Sequence, residues 1–258
     1  MITIGDYGIC NLSIVPVRAA ASDTAEIVTQ LLFGDFVKIL EKGEPWIKIK
    51  FERDDYEGWM DFKQLAYVSK EIYDEGIATR HPVLSLPILE LAGPKGIQNI
   101  MLGSDLPFYE KRGTLRLGNE IYKTLISPLD PIGDPDVFEL AEIYLNTPYL
   151  WGGKSIFGID CSGLVQLIYK VCGIDLPRDA AQQQKIGTEI NFGDRKAGDL
   201  AYFINGSGKI HHVGILVSAH EIVHASGCVR KDRLDEHGIY NLDLEKQTHK
   251  LHSIKRLR

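Results

Sequence analysis

The chain has 258 residues, of which 44% are hydrophobic and 25% are charged, and this composition is typical of a soluble globular protein rather than a fibrous, disordered or membrane-spanning one. Its 29 Lys and Arg residues against 35 Asp and Glu residues give a formal net charge of −6, which argues against a nucleic acid or an anionic membrane as a partner. The amino terminus shows no basic segment followed by an apolar run of secretory length, so we expect a cytoplasmic protein.

Short strands separated by turns are predicted over the first 70 residues. Residues 46–52 alternate apolar side chains with Lys48 and Lys50, which indicates a strand with one buried face. The regular spacing of such segments is typical of a small β-barrel. Further strands are predicted at residues 14–17, 36–40, 84–86, 106–109 and 114–117.

The pattern changes after a Pro-rich stretch at residues 127–135, which we interpret as a linker. A helix is predicted next, with Asp134 as its cap and Pro135 at its first position. A second helix begins near Asp160 and ends at Gly173, and a third covers residues 179–185. Strands are then predicted at residues 200–204, 212–217 and 222–226. Helices followed by an antiparallel sheet predict an α+β fold.

Cys161 is the first candidate for chemistry because it lies in the first turn of the second predicted helix. Backbone amides and the helix dipole favour negative charge at that position, so we expect the pKa of the thiol to be lowered. A thiolate there could attack a carbonyl carbon. The alternative is that Cys161 is only the first apolar residue of an amphipathic helix.

A cysteine nucleophile needs a base, and His212 begins an alternating segment that predicts a strand. If the following strand returns through a turn with an odd number of residues, Gly214 pairs with His224. His212 and His224 then lie diagonally on one face of the sheet. The prediction is a triad with Cys161 as nucleophile, His212 as base and His224 as the group that orients the base.

A zinc site is the competing interpretation of the same region, because residues 220–224 read His-Glu-Ile-Val-His. That metalloprotease pattern requires a helix that aims both histidines at one ion. Ile222 and Val223 are β-branched and favour a strand instead. We therefore expect no metal ion and no other cofactor.

A family resemblance supports the thiol interpretation. Residues 134–258 resemble the bacterial NlpC-type papain-like cysteine peptidases in six segments: 147–153, 158–166, 176–179, 198–200, 212–215 and 223–226. The amino-terminal half resembles bacterial SH3-like modules, most clearly in residues 26–35, 46–49 and 56–60. The resemblance implies an SH3-like module at residues 1–70, a divergent second module at 71–130 and a papain-like catalytic domain at 131–258.

The resemblance also implies an activity. The arrangement is similar to cytoplasmic γ-D-glutamyl-L-diamino-acid endopeptidases, or dipeptidyl-peptidases VI, which implies release of L-Ala-D-Glu from murein-derived peptides with a free amino-terminal L-Ala during cell wall recycling. Cys161, His212 and His224 are then the catalytic residues. The substrate-binding residues that it implies are Tyr149, Asp160, Ser162, Asp179, Tyr56 and Glu26. A peptidoglycan-peptide-binding protein without activity, or an amidase acting on another small amide, is the alternative.

Several of these side chains also have an ordinary structural interpretation. Asp160 and Asp179 are good helix caps, and Tyr56 and Tyr149 are suited to packing. Arg178 could meet a substrate carboxylate or form a local salt bridge, and both possibilities stay open on the sequence.

Overall fold

The computed structural model of the protein describes residues 4–110, 112–125 and 136–257. The predicted linker at 127–135, with the predicted cap Asp134 and Pro135, lies outside the described residues. The chain divides into two compact units, one formed by residues 1–134 with 152–156 and the other by residues 135–151 with 157–258. In the part of the chain that is described, no helix is both long and apolar enough to cross a membrane.

The first unit contains a seven-stranded antiparallel sheet with the order β3-β2-β6-β5-β4-β1-β7. Along β5, Ile47, Ile49 and Phe51 are buried and alternate with the two lysines, which confirms the predicted half-buried strand. The strands of this sheet are β1 (Tyr7–Ile9), β2 (Ile14–Arg18), β3 (Ile27–Leu32), β4 (Phe36–Glu41), β5 (Trp46–Phe51), β6 (Glu57–Asp61) and β7 (Ala66–Val68).

The described part of this unit also contains a helix and a second antiparallel sheet, which has the order β10-β11-β8-β9. Two short elements complete it, a 3-10 turn at Phe62–Gln64 and the strand β12 (Lys154–Ser155). The helix α1 (Lys70–Ala78) was not predicted; Ser69 caps it by accepting a hydrogen bond from the amide of Ile72. The second sheet consists of β8 (Ile88–Gly93), β9 (Gly96–Met101), β10 (Thr114–Leu117) and β11 (Glu120–Thr124). The division of this region into two SH3-like modules stays a prediction.

Two of the strands predicted for this region are wrong. Residues 84–86 and 106–109 form turns and irregular backbone, whereas the strand predicted at 114–117 is present as β10. The physical reason is proline, because Pro87 follows the first segment and Pro107 lies within the second, and proline has no amide hydrogen to donate to a sheet.

Three helices and one short strand precede the main sheet of the second unit, in the α+β order that the sequence predicts. These are α2 (Val137–Ile143), β13 (Gly158–Ile159), α3 (Cys161–Val171) and α4 (Ala180–Gln183). Asp136 caps α2 through the amide of Phe138. Helix α3 is buried along most of its length, so it forms part of the core of this unit.

The main sheet of the second unit is antiparallel and has the order β14-β20-β15-β16-β17-β18-β19. Strand β20 also pairs with β19, so six of these strands close into a ring and protect their edges. The strands are β14 (Thr188–Ile190), β15 (Leu200–Ile204), β16 (Ile210–Leu216), β17 (Glu221–Ser226), β18 (Cys228–Asp235), β19 (Gly238–Asn241) and β20 (Lys246–Arg256), with a 3-10 turn at Phe192–Asp194. Helix α3 packs against β16 and β17, and this packing positions the candidate site.

Candidate active site

Cys161 is the first residue of α3, and its position follows from a local cap. Asp160 precedes the helix in an extended conformation and accepts a hydrogen bond from the amide of Gly163 at 2.7 Å. The sulfur of Cys161 is hydrogen-bonded by the backbone of Val213 on β16 and by that of Ser162. The nucleophile candidate is therefore held between the start of the helix and the strand that carries His212.

The expected lowering of the Cys161 pKa is not what the structure indicates. Burial raises the pKa of Cys161 to about 12, and the negative charge of Asp160 adds to this shift, whereas the backbone hydrogen bonds oppose it. Cys161 is only 6% exposed, so loss of hydration outweighs the helix amides. The resting form of Cys161 at neutral pH is accordingly the thiol.

His212 and His224 meet on neighbouring strands, in the register that the sequence predicts. Gly214 on β16 pairs with His224 on β17, which confirms the predicted pairing. Residues 221–224 of the His-Glu-Ile-Val-His segment lie in β17 and not in a helix, and His220 lies in the turn before it. The Nε2 atom of His212 lies 2.9 Å from Nδ1 of His224, and both side chains are buried. A Cβ atom on Gly214 would lie 2.9 Å from the Cβ of His224, so the close approach requires glycine.

A third buried group, Asp232 on β18, extends this pair and was missed in the sequence. Its Oδ2 atom lies 3.0 Å from Nε2 of His224, and Arg230 donates to both of its carboxylate oxygens, at 2.8 and 3.0 Å. The amide of Leu242 donates to Oδ1 at 3.0 Å. Burial by itself raises the pKa of Asp232, but the hydrogen bonds from His224 and Arg230 outweigh it and lower the pKa to about 2.

An ionised Asp232 and a neutral imidazole at His224 together set one direction for the hydrogen bonds along the His212–His224–Asp232 chain. An ionised carboxylate only accepts, so Nε2 of His224 donates to Asp232. In the neutral imidazole the other nitrogen then accepts, and Nε2 of His212 donates to Nδ1 of His224. The lone pair of His212 is left on Nδ1, which makes this atom the candidate base.

His249 on β20 is the other residue that the sequence did not indicate. Its ring stacks on that of His212, with the ring centroids 4.2 Å apart, and His211 stacks on the outer side at 5.9 Å. Burial lowers the pKa of His212 well below its usual value, and His224, His249 and His211 lower it further. Burial and the neighbouring histidines His224 and His211 likewise lower the pKa of His249 to about 4. At neutral pH His212 and His249 are therefore uncharged.

Two predicted substrate-binding residues, Asp160 and Ser162, belong to a buried ion-pair network. Arg178 donates to the two oxygens of Asp160 at 2.6 and 3.0 Å and to the hydroxyl of Ser162 at 2.8 Å. Arg178 is 1% exposed, so of the two roles left open for it the structure supports the local salt bridge. Asp160 is thus both a helix cap and an ion-pair partner, and its contact with substrate stays a prediction.

Tyr149 and Asp179 also lie in the second unit. The amide of Tyr149 donates to the carbonyl of Gly227 at 2.9 Å. Burial raises the pKa of Tyr149, and the negative charge of Asp160, together with that of Cys161 when it is ionised, raises it further. Asp179 is exposed at the cap position of α4. The structure therefore brings these residues into the same unit as Cys161.

Glu26 and Tyr56 belong to the first unit. Glu26 is exposed just before β3, and its carbonyl accepts a hydrogen bond from the amide of Ala19 at 2.9 Å. Tyr56 is half-buried just before β6, and its amide donates to the side chain of Asp54 at 3.1 Å. The roles predicted for Glu26 and Tyr56 in binding the substrate amine stay predictions.

Comparisons with known proteins agree with both halves of the chain. Residues 146–247 match the NlpC/P60 family, and residues 17–65 match the bacterial dipeptidyl-peptidase SH3 domain. A γ-D-glutamyl-L-lysine dipeptidyl-peptidase of Bacillus subtilis (strain 168) is 33% identical over 219 residues, which cover 77% of this chain and 72% of the relative. Its counterpart in Bacillus cereus (strain ATCC 10987) is 28% identical over 226 residues, which cover 78% of this chain and 67% of the relative.

Solved structures show the same fold. An NlpC/P60 family protein from Bacillus cereus ATCC 10987 superposes with a TM-score of 0.77 at 22% identity, covering 97% of this chain and 99% of that chain. An NlpC/P60 endopeptidase from Photobacterium damselae subsp. piscicida gives a TM-score of 0.69 at 18% identity, covering 96% of this chain and 70% of that one. On its sequence relatives and its matched domains, this chain belongs to the NlpC/P60 family and carries the SH3 domain of bacterial dipeptidyl-peptidases.

Proposed function

We propose that the protein is a cysteine peptidase that cleaves the γ-D-glutamyl bond to the diamino acid of peptidoglycan stem peptides with a free amino-terminal L-Ala, and releases L-Ala-D-Glu. Homology to the Bacillus dipeptidyl-peptidases supports peptidoglycan-peptide hydrolysis. The observation that carries the mechanism is the buried His212–His224–Asp232 chain, which leaves a base on the strand whose backbone holds the sulfur of Cys161.

The first step follows from the protonation states of the two groups. Cys161 is a thiol and His212 is a neutral imidazole, so the proton passes from sulfur to Nδ1 of His212 as the sulfur attacks the γ-carbonyl carbon. A bond forms between sulfur and carbon, and the carbonyl oxygen becomes an oxyanion. Backbone amides at the start of α3 and the phenol of Tyr149 are the donors that we assign to this oxyanion.

The second step breaks the carbon–nitrogen bond. The imidazolium of His212 gives its proton to the leaving amine, which departs with the diamino acid and leaves a thioester on Cys161. His224 stabilises the positive charge on His212 during this step because its Nδ1 accepts the Nε2 hydrogen, and Asp232 holds His224 in that orientation. Water, activated by His212, then hydrolyses the thioester and regenerates the thiol.

Recognition of the free L-Ala amine is the finer part of the proposal. An ammonium group entering a closed site needs an acidic or aromatic partner, because its desolvation is otherwise costly. Asp179 is exposed and acidic, and Glu26 and Tyr56 are the candidates from the first unit. Action in the cytoplasm, on recycled peptides, is part of the same proposal, and cell fractionation followed by immunodetection tests it.

The deciding experiment is mass-spectrometric product analysis. L-Ala-γ-D-Glu-meso-diaminopimelate, the corresponding L-Lys tripeptide and their amino-terminally acetylated forms are incubated with the protein, with Cys161→Ala and with Cys228→Ala. Cys228→Ala is the matched control because it removes another free thiol, that of the first residue of β18.

The expected result is L-Ala-D-Glu from a free tripeptide with the native protein and Cys228→Ala, and no product with Cys161→Ala. Equal cleavage of the acetylated peptides would retain the peptidase and overturn amine recognition. Tight binding of the peptides without cleavage would favour a binding protein, and the absence of both would favour another amide substrate.

A further inference from the structure

The cluster of imidazole rings around His212 contains a third histidine, His249, which the proposed acid–base chemistry does not use. Besides the catalytic candidates His212 and His224, the ring of His249 packs on His212, and one nitrogen of each of the three side chains lies within 4.8 Å of the others. His249 comes from β20, which also pairs with β15, the neighbour of the strand that carries His212. Strand pairing, and not sequence proximity, brings the third histidine to the site.

We propose that His212, His224 and His249 form a binding site for a divalent zinc ion, and that zinc occupancy switches the peptidase off. The inhibitory part rests on the proposed function. Zinc binds imidazole nitrogen at 2.0–2.1 Å in tetrahedral geometry, which separates its ligand atoms by about 3.4 Å. The histidine nitrogens already lie 2.9 Å apart in one pair and within 4.8 Å overall, so small rotations of the rings bring them to zinc.

The surroundings of the cluster match those of known zinc sites. The Nε2 of His224 is bonded to Asp232, and this pairing of a carboxylate with a ligating histidine orients the ring and increases the basicity of its other nitrogen. The Nδ1 of His249 lies 2.9 Å from the hydroxyl of Thr248, which leaves Nε2 for the ion. His249 is only partly buried and His211 beside it is exposed, so the ion has a path from solvent.

Zinc in this position stops the proposed reaction for a simple reason. The ion replaces the hydrogen bond between His212 and His224 by binding Nε2 of His212. The one hydrogen of the neutral His212 ring is then on Nδ1, so this atom no longer accepts a proton from Cys161. The three histidines leave one tetrahedral position for water or for a sulfur ligand. The inhibition is reversible, because no covalent bond to the protein is made.

The test is calorimetric titration of zinc chloride into the chelator-treated 258-residue chain, with tripeptide hydrolysis measured in parallel. We expect one zinc per chain, loss of hydrolysis at saturating zinc and its recovery with EDTA. His249→Phe keeps the stacked ring without a ligand atom, and we expect it to raise the zinc Kd at least about tenfold. Asp232→Asn raises it about 10- to 100-fold by the loss of the supporting carboxylate.

His252→Phe is the matched control, because it makes the same substitution at an exposed histidine of the same strand, and we expect its zinc Kd to stay within twofold. No zinc binding, or binding that His249→Phe leaves unchanged, overturns the proposal. Zinc binding that is lost in His252→Phe places the ion on the surface and also overturns it. Zinc binding as expected in a protein that never cleaves the tripeptides supports the metal site and rejects the proposed function, so the two failures are distinguishable.

Discussion

Replacement of Asp232 by asparagine tests the direction of the hydrogen bonds behind His212. Both carboxylate oxygens of Asp232 accept from donors: Oδ2 from His224, Arg230 and Asn241, and Oδ1 from Arg230 and Leu242. An asparagine amide must turn its NH2 group toward one of these two sets. If NH2 faces His224, that histidine becomes an acceptor at Nε2 and carries its hydrogen on Nδ1, so Nε2 of His212 becomes the acceptor and its Nδ1 holds the hydrogen. His212 then has no lone pair for the thiol of Cys161.

The size of the effect follows from the alternative orientation. Both orientations lose one hydrogen bond from Arg230, so the difference between them is the amide of Leu242, which is left without its acceptor when the active direction is kept, at a cost of about 1–3 kcal/mol. At about 1.4 kcal/mol for each factor of ten, kcat/KM falls about 5- to 150-fold. The loss is expected in kcat with KM unchanged, because Asp232 is 1% exposed and does not touch the substrate.

The assay is steady-state hydrolysis of the free tripeptide by the native protein, Asp232→Asn and Asp243→Asn, with thermal unfolding of each. Asp243 is a matched control because it pairs with the same Arg230 at 2.7 Å but is exposed. We expect Asp243→Asn to keep kcat/KM within about twofold. A folded Asp232→Asn protein with native kcat/KM, or one that loses activity only through KM, would refute the hydrogen-bond direction derived above.

Three further predictions address stability, protonation and packing. Arg178→Met removes the positive charge that is paired with the buried carboxylate of Asp160 and should destabilise the protein by about 3–5 kcal/mol in urea unfolding. The pKa of Cys161 is raised to about 12, so its alkylation by iodoacetamide should accelerate nearly tenfold per pH unit from pH 6 to pH 10, without the plateau of an ordinary thiol near pH 9. Gly214→Ala puts a Cβ atom 2.9 Å from that of His224, and we expect a loss of about 1–3 kcal/mol in thermal unfolding together with a reduced kcat.

Each of the three has its own control. Lys231→Met removes an exposed ion pair with Glu142 and should cost no more than about 1 kcal/mol, so an equal effect of Arg178→Met would contradict the importance of burial. A plateau in Cys161 alkylation below pH 8 would show a preformed thiolate–imidazolium pair instead of the neutral pair. In Gly193→Ala the new Cβ meets no atom within 4 Å, so we expect unchanged thermal stability and kcat. If Gly214→Ala also left both unchanged, β16 and β17 would be able to move apart without loss of stability or activity.

Local patterns in the sequence predicted several parts of the fold correctly. Alternation of apolar residues with Lys48 and Lys50 predicted β5, and the cap at Asp160 with Gly173 in a left-handed conformation predicted the bounds of α3. The hairpin register of Gly214 with His224 was also predictable. Each of these features depends on residues close together in the chain, where periodicity, caps and turns act directly.

The tertiary structure decided what surrounds those elements. Asp232 lies in a run of charged residues that suggests a solvated surface, and the single signal in the sequence was its strand parity with the buried Leu234. His249 reaches His212 only because β20 closes the sheet from the far end of the chain. The sequence also favoured a lowered pKa at Cys161 from its helix position, and burial reversed that direction. Burial and long-range strand pairing depend on contacts between distant segments. The chain's local patterns therefore indicated the candidate nucleophile and two candidate histidines, whereas the folded sheet determined their protonation and their further partners.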